Sequence, residues 1–172
     1  DMFFDARNDT PEIIGVPYGF GDPATRAVID EGIPDSEIIK PNFTQPIIEY
    51  SEIEFIRSEF EGWDQTHYTN GVQASLEKWG VSTADASTYV GSLPAATEET
   101  VLTQKYISLY MDGLEGWTEY RRTGFPKTLT VPGDTYEYES EDEDGNITTV
   151  TATFETKVPG LTEIPSRVTY PQ

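Results

Sequence analysis

Near residue 130 the spacing of apolar residues changes from the helical period of about 3.6 to the strand period of 2, and this switch limits the fold more than any other feature. The chain must be mainly helical before it and carry one β element after it. Pro46 suits a first helical turn, and Ile48, Tyr50, Ile53, Phe55, Ile56 and Phe60 follow at mixed i+3 and i+4 spacing until Gly62. A helix over 46–60 is predicted. Asp64 is an N-cap candidate bracketed by Trp63 and Tyr68, the arrangement of a hydrophobic staple. The second helix, over 64–79, places Tyr68, Val72, Leu76 and Trp79 on one stripe and ends at Gly80. These two helices should form an antiparallel pair, with a short helical turn over 83–90 behind them.

The strongest helical signal runs over 97–120. Thr97 offers an N-cap, Glu98 and Glu99 occupy the first turn, and Arg121 and Arg122 lie at the far end, all matched to the helix dipole. Leu102, Tyr106, Leu109, Gly113 and Trp117 share one face. Inside a helix, Gly113 and Gly116 would each cost roughly 1 kcal/mol against alanine, a loss best offset by close approach of another helix.

Beyond the switch, Tyr136 and Tyr138 alternate with Thr135, Glu137 and Glu139, and Val150, Ala152 and Phe154 alternate with Thr149, Thr151 and Thr153. Between them stands an acidic stretch ending in Asp144-Gly145-Asn146, whose Asp-Gly pair is a strong turn signal. A β-hairpin over 135–154 follows. By contrast, 1–45 is broken by prolines and glycines too often for long elements, and the stretch from Pro159 to Gln172 is again proline-punctuated coil. With 36% hydrophobic residues in 172, a single domain is the expectation: loop-rich over 1–45, a helical core over 46–126 and a hairpin insertion over 132–160.

Charge and residue usage remove several functions. Thirty-one acidic residues against eleven basic give a net charge of −20, a field that repels phosphate backbones and anionic lipids, so no nucleic acid partner is expected. The absence of cysteine removes disulfides, thiolate metal sites and cysteine nucleophiles. His67 is the only histidine, with no second one to complete a metal set, and a surface or capping role is its default. No cofactor is implied. There is no Gly-x-Ser-x-Gly elbow and no phosphate loop, and carboxylate pairs for glycoside hydrolysis are defined in space and not by sequence. The acidic run Glu141 to Asp144 lacks the EF-hand spacing, so a solvated hairpin tip is preferred to calcium binding. No apolar run approaches the roughly 20 residues of a membrane span.

Aromatics are the remaining candidates. Trp63, Trp79 and Trp117 lie on a stripe or a staple, which favours core packing over a sugar platform. Tyr18 and Phe20 sit between glycines in a loop where no periodicity requires them, so ligand contact and loop packing both account for them. Arg121 and Arg122 are explained by the helix dipole and by ion pairs with Glu115 or Glu119.

Three stretches together carry a family resemblance. Tyr50-Ser51-Glu52-Ile53-Glu54-Phe55-Ile56-Arg57-Ser58-Glu59, with the later Gly62-Trp63, is similar to one helix of the SusD/RagB family of surface nutrient-binding lipoproteins of the Bacteroidota. The run from Tyr68 to Lys78, closed by Trp79-Gly80, resembles the next family helix. The most specific is Gln104 to Pro126, which contains Gly116-Trp117, Arg121-Arg122 and Gly124-Phe125-Pro126; Ile164-Pro165-Ser166-Arg167 and Tyr170-Pro171-Gln172 follow in family order. About two thirds of the chain is covered.

The resemblance implies a mainly α fold: a tetratricopeptide-like helical hairpin plus a long C-terminal helix, with irregular loops and the inserted β-hairpin. It implies non-catalytic capture of glycan or peptide nutrients in polysaccharide utilisation, with delivery to a SusC-like TonB-dependent transporter. It also places the protein on the outer membrane, surface-exposed and held by an N-terminal lipid absent from this chain. Family members are several times longer, so the chain reads as a C-terminal part whose partner is its own missing N-terminal segment. The segment from Pro132 to Pro159 is more acidic and strand-like than the family pattern. The alternative reading is a fragment of a carbohydrate-active enzyme, a glycoside hydrolase.

Overall fold

A computed structural model describes residues 4–5, 33–34, 40–42, 46–141, 146–156, 160 and 162–165. The chain divides into two compact units, Thr44–Thr128 and Asp1–Phe43 with Leu129–Gln172. The first holds five helices: α1 (Tyr50–Phe60), α2 (Gln65–Lys78), α3 (Thr83–Gly91), α4 (Glu98–Ser108) and α5 (Gly113–Thr123). The second holds two short antiparallel pairs, β1 (Phe4–Asp5) with β2 (Ile33–Pro34) and β3 (Thr135–Glu141) with β4 (Ile147–Thr153). The fold is mainly α with an inserted hairpin.

In the helical unit, Phe55 of α1, Tyr68 and Val72 of α2 and Val101 of α4 form the core, surrounded by Trp63, Leu76, Val90, Leu93 and Ala96. α1 and α2 pack most extensively, and Gly71 makes that possible. A Cβ there would lie 2.9 Å from the Phe55 ring, so only glycine lets the ring fill the space. α1 starts at Tyr50 and not at Pro46, because Glu49 is extended and serves as its N-cap residue.

The turn between α1 and α2 is built by hydrogen bonds that the local sequence encodes. Gly62 and Trp63 are both left-handed, with φ of 78° and 71°. Gly62 N–H donates to Glu59 O and Trp63 N–H to Ser58 O at 2.7 Å, the paired bonds of a Schellman motif. The fully buried Ser58 donates its hydroxyl to Asp64 O at 2.8 Å, and Asp64 Oδ1 accepts from His67 N–H at 2.9 Å as the N-cap of α2. Trp63 packs on the cluster that contains Tyr68, as the staple requires. α2 ends on a second Schellman motif at Gly80, with Val81 N–H on Leu76 O and Gly80 N–H on Glu77 O.

The continuous helix expected over 97–120 is two helices. α4 starts on a capping box between Thr97 and Thr100 and stops after Ser108. Met111 then turns left-handed (φ 74°), and Asp112 caps α5 by accepting from Glu115 N–H at 3.3 Å. An aspartate ahead of a glycine can satisfy a new helix start, and here that local alternative outweighs continuation. Gly113 consequently sits in the first turn of α5 with open space around it, and Gly116 has only ordinary contacts with Tyr106 and Leu109. The close approach expected at these two glycines occurs at Gly71 instead.

The hairpin matches the period-2 reading, in register from Thr135 opposite Thr153 to Glu141 opposite Ile147. Val150, Ala152 and Phe154 are half-buried while Thr149, Thr151 and Thr153 are exposed, so one face is covered. Phe154 N–H donates to Asp134 O and Gly133 N–H to Phe154 O, closing the open end of the ladder. The tip residues 142–145 lie outside the described residues, and with them most of the acidic run weighed for calcium.

Candidate functional site

Two carboxylates, Glu54 on α1 and Glu119 on α5, are almost wholly buried, where an unpaired ionised carboxylate is costly. Glu54 is reached by His67 Nδ1 at 2.6 Å, by Asn70 Nδ2 at 3.5 Å and by the Tyr50 hydroxyl. Burial pushes its pKa up, but these hydrogen bonds outweigh burial and hold it below the ordinary value. The other ring nitrogen of His67, Nε2, lies 3.5 Å from Glu61, so the imidazole sits between two carboxylates. Tyr50 is correspondingly pushed up by donating to Glu54.

Glu119 accepts from Lys105 Nζ at 3.0 Å and from Arg122 Nη2 at 2.6 Å. Arg122 also grips Glu59 of α1 with two bonds of 2.6 and 2.7 Å, tying three helices into one network. Burial raises Glu119, and the hydrogen bonds from Arg122 and Lys105 win and lower it. Arg122 is raised by its hydrogen bonds to Glu59 and Glu119. Both clusters leave their carboxylates committed to protein partners, so they hold helices together and offer nothing to a ligand.

Open space lies elsewhere. A cleft of about 390 Å³ opens between α2, α3, α4 and residues 126–128. Tyr68, Leu93 and the buried Pro126 contribute apolar surface, and Tyr89, Gln104, Thr103, Thr128, Glu99 and Lys127 contribute polar groups. Tyr89 is 46% exposed, and its hydroxyl lies 3.4 Å from Gln104 Nε2, a long contact. Lys127 Nζ lies 4.5 Å over the Phe125 ring. A smaller hollow of about 230 Å³ beside Pro46, Tyr50 and Ala74 is closed on one side by the Lys78–Glu49 ion pair.

The loop aromatics Tyr18 and Phe20 lie outside the described residues. Of the tryptophans, Trp79 is buried edge-on to Tyr110 at 5.8 Å, and Trp63 packs on the core as expected. Trp117 is only partly buried, with the Arg121 guanidinium 4.6 Å over its ring. Arg122 takes Glu119 as anticipated and adds Glu59 from a distant helix. His67 is no surface residue: its ring is mostly buried against Glu54. Little in the sequence points to Tyr89 and Gln104, which lie on two short helices 15 residues apart and meet only in the folded unit. Among the described residues no group of three or more acidic or histidine side chains could hold a metal ion, and no helix is long and apolar enough to cross a membrane.

Residues 2–148 match a SusD-like family model described as starch-binding associating with outer membrane. No curated protein and no solved structure matches the chain.

Proposed function

The chain belongs to the SusD-like family of starch-binding proteins that associate with the outer membrane, and from that membership we propose that it captures glycan at the cell surface without cleaving it. The single observation that carries this reading is the length of the match, 2–148, which takes in all five helices and most of the hairpin. Bound glycan, or peptide in the broader form of the reading, then passes to a SusC-like TonB-dependent transporter. The protein is held at the membrane by an N-terminal lipid, and 1–172 is one domain in the C-terminal part of a longer chain whose N-terminal helical hairpins complete it. Tyr18 and Phe20 are the ligand-contacting residues of this reading.

The competing reading, a glycoside hydrolase fragment, requires two carboxylates facing a common space. Glu54 and Glu119 are engaged by His67, Asn70, Lys105 and Arg122, and among the described residues Glu99 is the one carboxylate that lines the larger cleft. That favours binding over hydrolysis. Affinity gels containing candidate polysaccharides, with reducing ends assayed in parallel, separate the two. Retarded migration with no release of reducing ends is expected; release at a rate proportional to protein would overturn the proposal.

A further inference from the structure

We infer that the cleft between α3, α4 and residues 126–128 is a glycan subsite that seats a neutral pyranose on Tyr89 and turns away uronates. This rests on the glycan reading above and adds a place and a charge preference to it. A singly exposed tyrosine is ordinary, but Tyr89 lines a cleft while remaining 46% exposed, and Gln104 lies beside its hydroxyl at 3.4 Å. The C–H face of a pyranose carries partial positive charge, which the negative face of an aromatic ring attracts. Sugar hydroxyls need donors and acceptors beside that ring, and Gln104, Thr103 and Thr128 supply both.

Charge decides which sugars fit. Glu99 and Lys127 bring one charge of each sign to the cleft, the Lys127 ammonium lying 4.5 Å over the Phe125 ring, so the bias against an acidic sugar comes from the chain as a whole. The net charge of −20 sets up a repulsive field for any polyanion. A neutral glucan meets no such opposition.

Isothermal titration of the full-length protein, N-terminal helical hairpins included, with maltoheptaose and with oligogalacturonate of equal length tests this. Maltoheptaose should bind, and Tyr89→Ala should weaken it about tenfold with circular dichroism unchanged, while Tyr89→Phe, which keeps the ring, stays within about threefold of the parent. Oligogalacturonate should bind at least about tenfold more weakly, and Glu99→Gln should narrow that gap. If maltoheptaose binds the parent and Tyr89→Ala equally, the cleft is not the subsite although glycan capture stands. Equal affinity for both sugars in the parent would overturn the charge preference. Binding of no glycan by the folded parent, across neutral and acidic polysaccharides, would bring down the capture reading itself.

Discussion

Glu54 and Glu119 are buried to nearly the same degree and both titrate below the ordinary carboxylate value, yet they are stabilised in different ways. Around Glu54 the donors are an imidazole, an amide and a phenol; around Glu119 they are a buried ammonium and a guanidinium. The Glu54 cluster fastens α1 to α2, neighbours in sequence. The Glu119 cluster fastens α4 and α5, themselves joined by a short turn, to α1 at Glu59, which lies 63 residues from Arg122. Two hydrogen-bonded cations hold Glu119 where helices distant in sequence meet, whereas beside the tight turn Glu54 is held by a histidine, an amide and a phenol, with Arg57 no nearer than 3.8 Å.

The largest effect should come from breaking the ionic cluster on one side only. Glu119→Gln leaves Lys105, just 4% exposed, as an uncompensated buried charge and should cost roughly 3–5 kcal/mol in urea denaturation at pH 7. Replacing Lys105 and Glu119 together by methionine should cost far less, because the penalty lies in the orphaned charge. Equal losses in the single and double variants would show that the pair itself, and not its imbalance, carries the stability.

Acid should reveal the same cluster. Glu119 has a depressed pKa in the folded chain, so its contribution is complete above the unfolded value near 4.3 and is lost as pH falls through the lower folded value. Glu54 follows the same sign. Glu52 runs the other way: burial first, then repulsion from Glu115 and Asp112, raises it against the pull of Lys105, so its contribution is lost as pH rises past 4.3 towards its folded value. Glu119→Gln should therefore flatten the loss of melting temperature below about pH 4. A slope unchanged from the parent would assign acid sensitivity to other groups.

Smaller effects are expected at Glu54. His67→Ala removes its shortest hydrogen bond and should cost about 1.5–3 kcal/mol by chemical denaturation, the usual range for a bond to a charged group. Asn70→Ala removes a contact of 3.5 Å, at the edge of hydrogen-bond distance, and should cost under about 0.5 kcal/mol. If the Asn70 variant lost as much as the His67 variant, the two donors would be equal partners and the short histidine contact would have no special weight.

What the sequence makes legible depends on how local the chemistry is. The α1–α2 junction is written in consecutive residues, from Ser58 through Gly62 to Asp64, and its helix starts and stops fall where they are expected. The α4–α5 junction uses the same left-handed step, but at Met111, a residue that gives no warning of it. A helical stripe continuing through Leu114 and Trp117 then argues for one long helix. Gly71 shows the same limit: glycines inside apolar patterns suggest close packing, but only the partner ring shows which glycine is needed. Glu54 with His67 and Lys105 with Glu119 are separated by 13 and 14 residues, beyond any i+4 rule, so neither pair could be read. The cleft draws on α2, α3, α4 and 126–128 and has no linear signature at all.

The Ser58 turn also bears on the order in which the helical unit assembles. Its bonds join residues only five or six apart, so α1 meets α2 after closing a very short loop. Meeting α4 requires a loop about three doublings longer, an added closure entropy of roughly 2 kcal/mol. Among the helix pairs joined by such short loops α1 and α2 pack most extensively, so their hairpin is the best-supported nucleus of the helical unit, and its face, with Phe55 seated in the notch at Gly71, is a template on which α4 can dock once Val101 finds it.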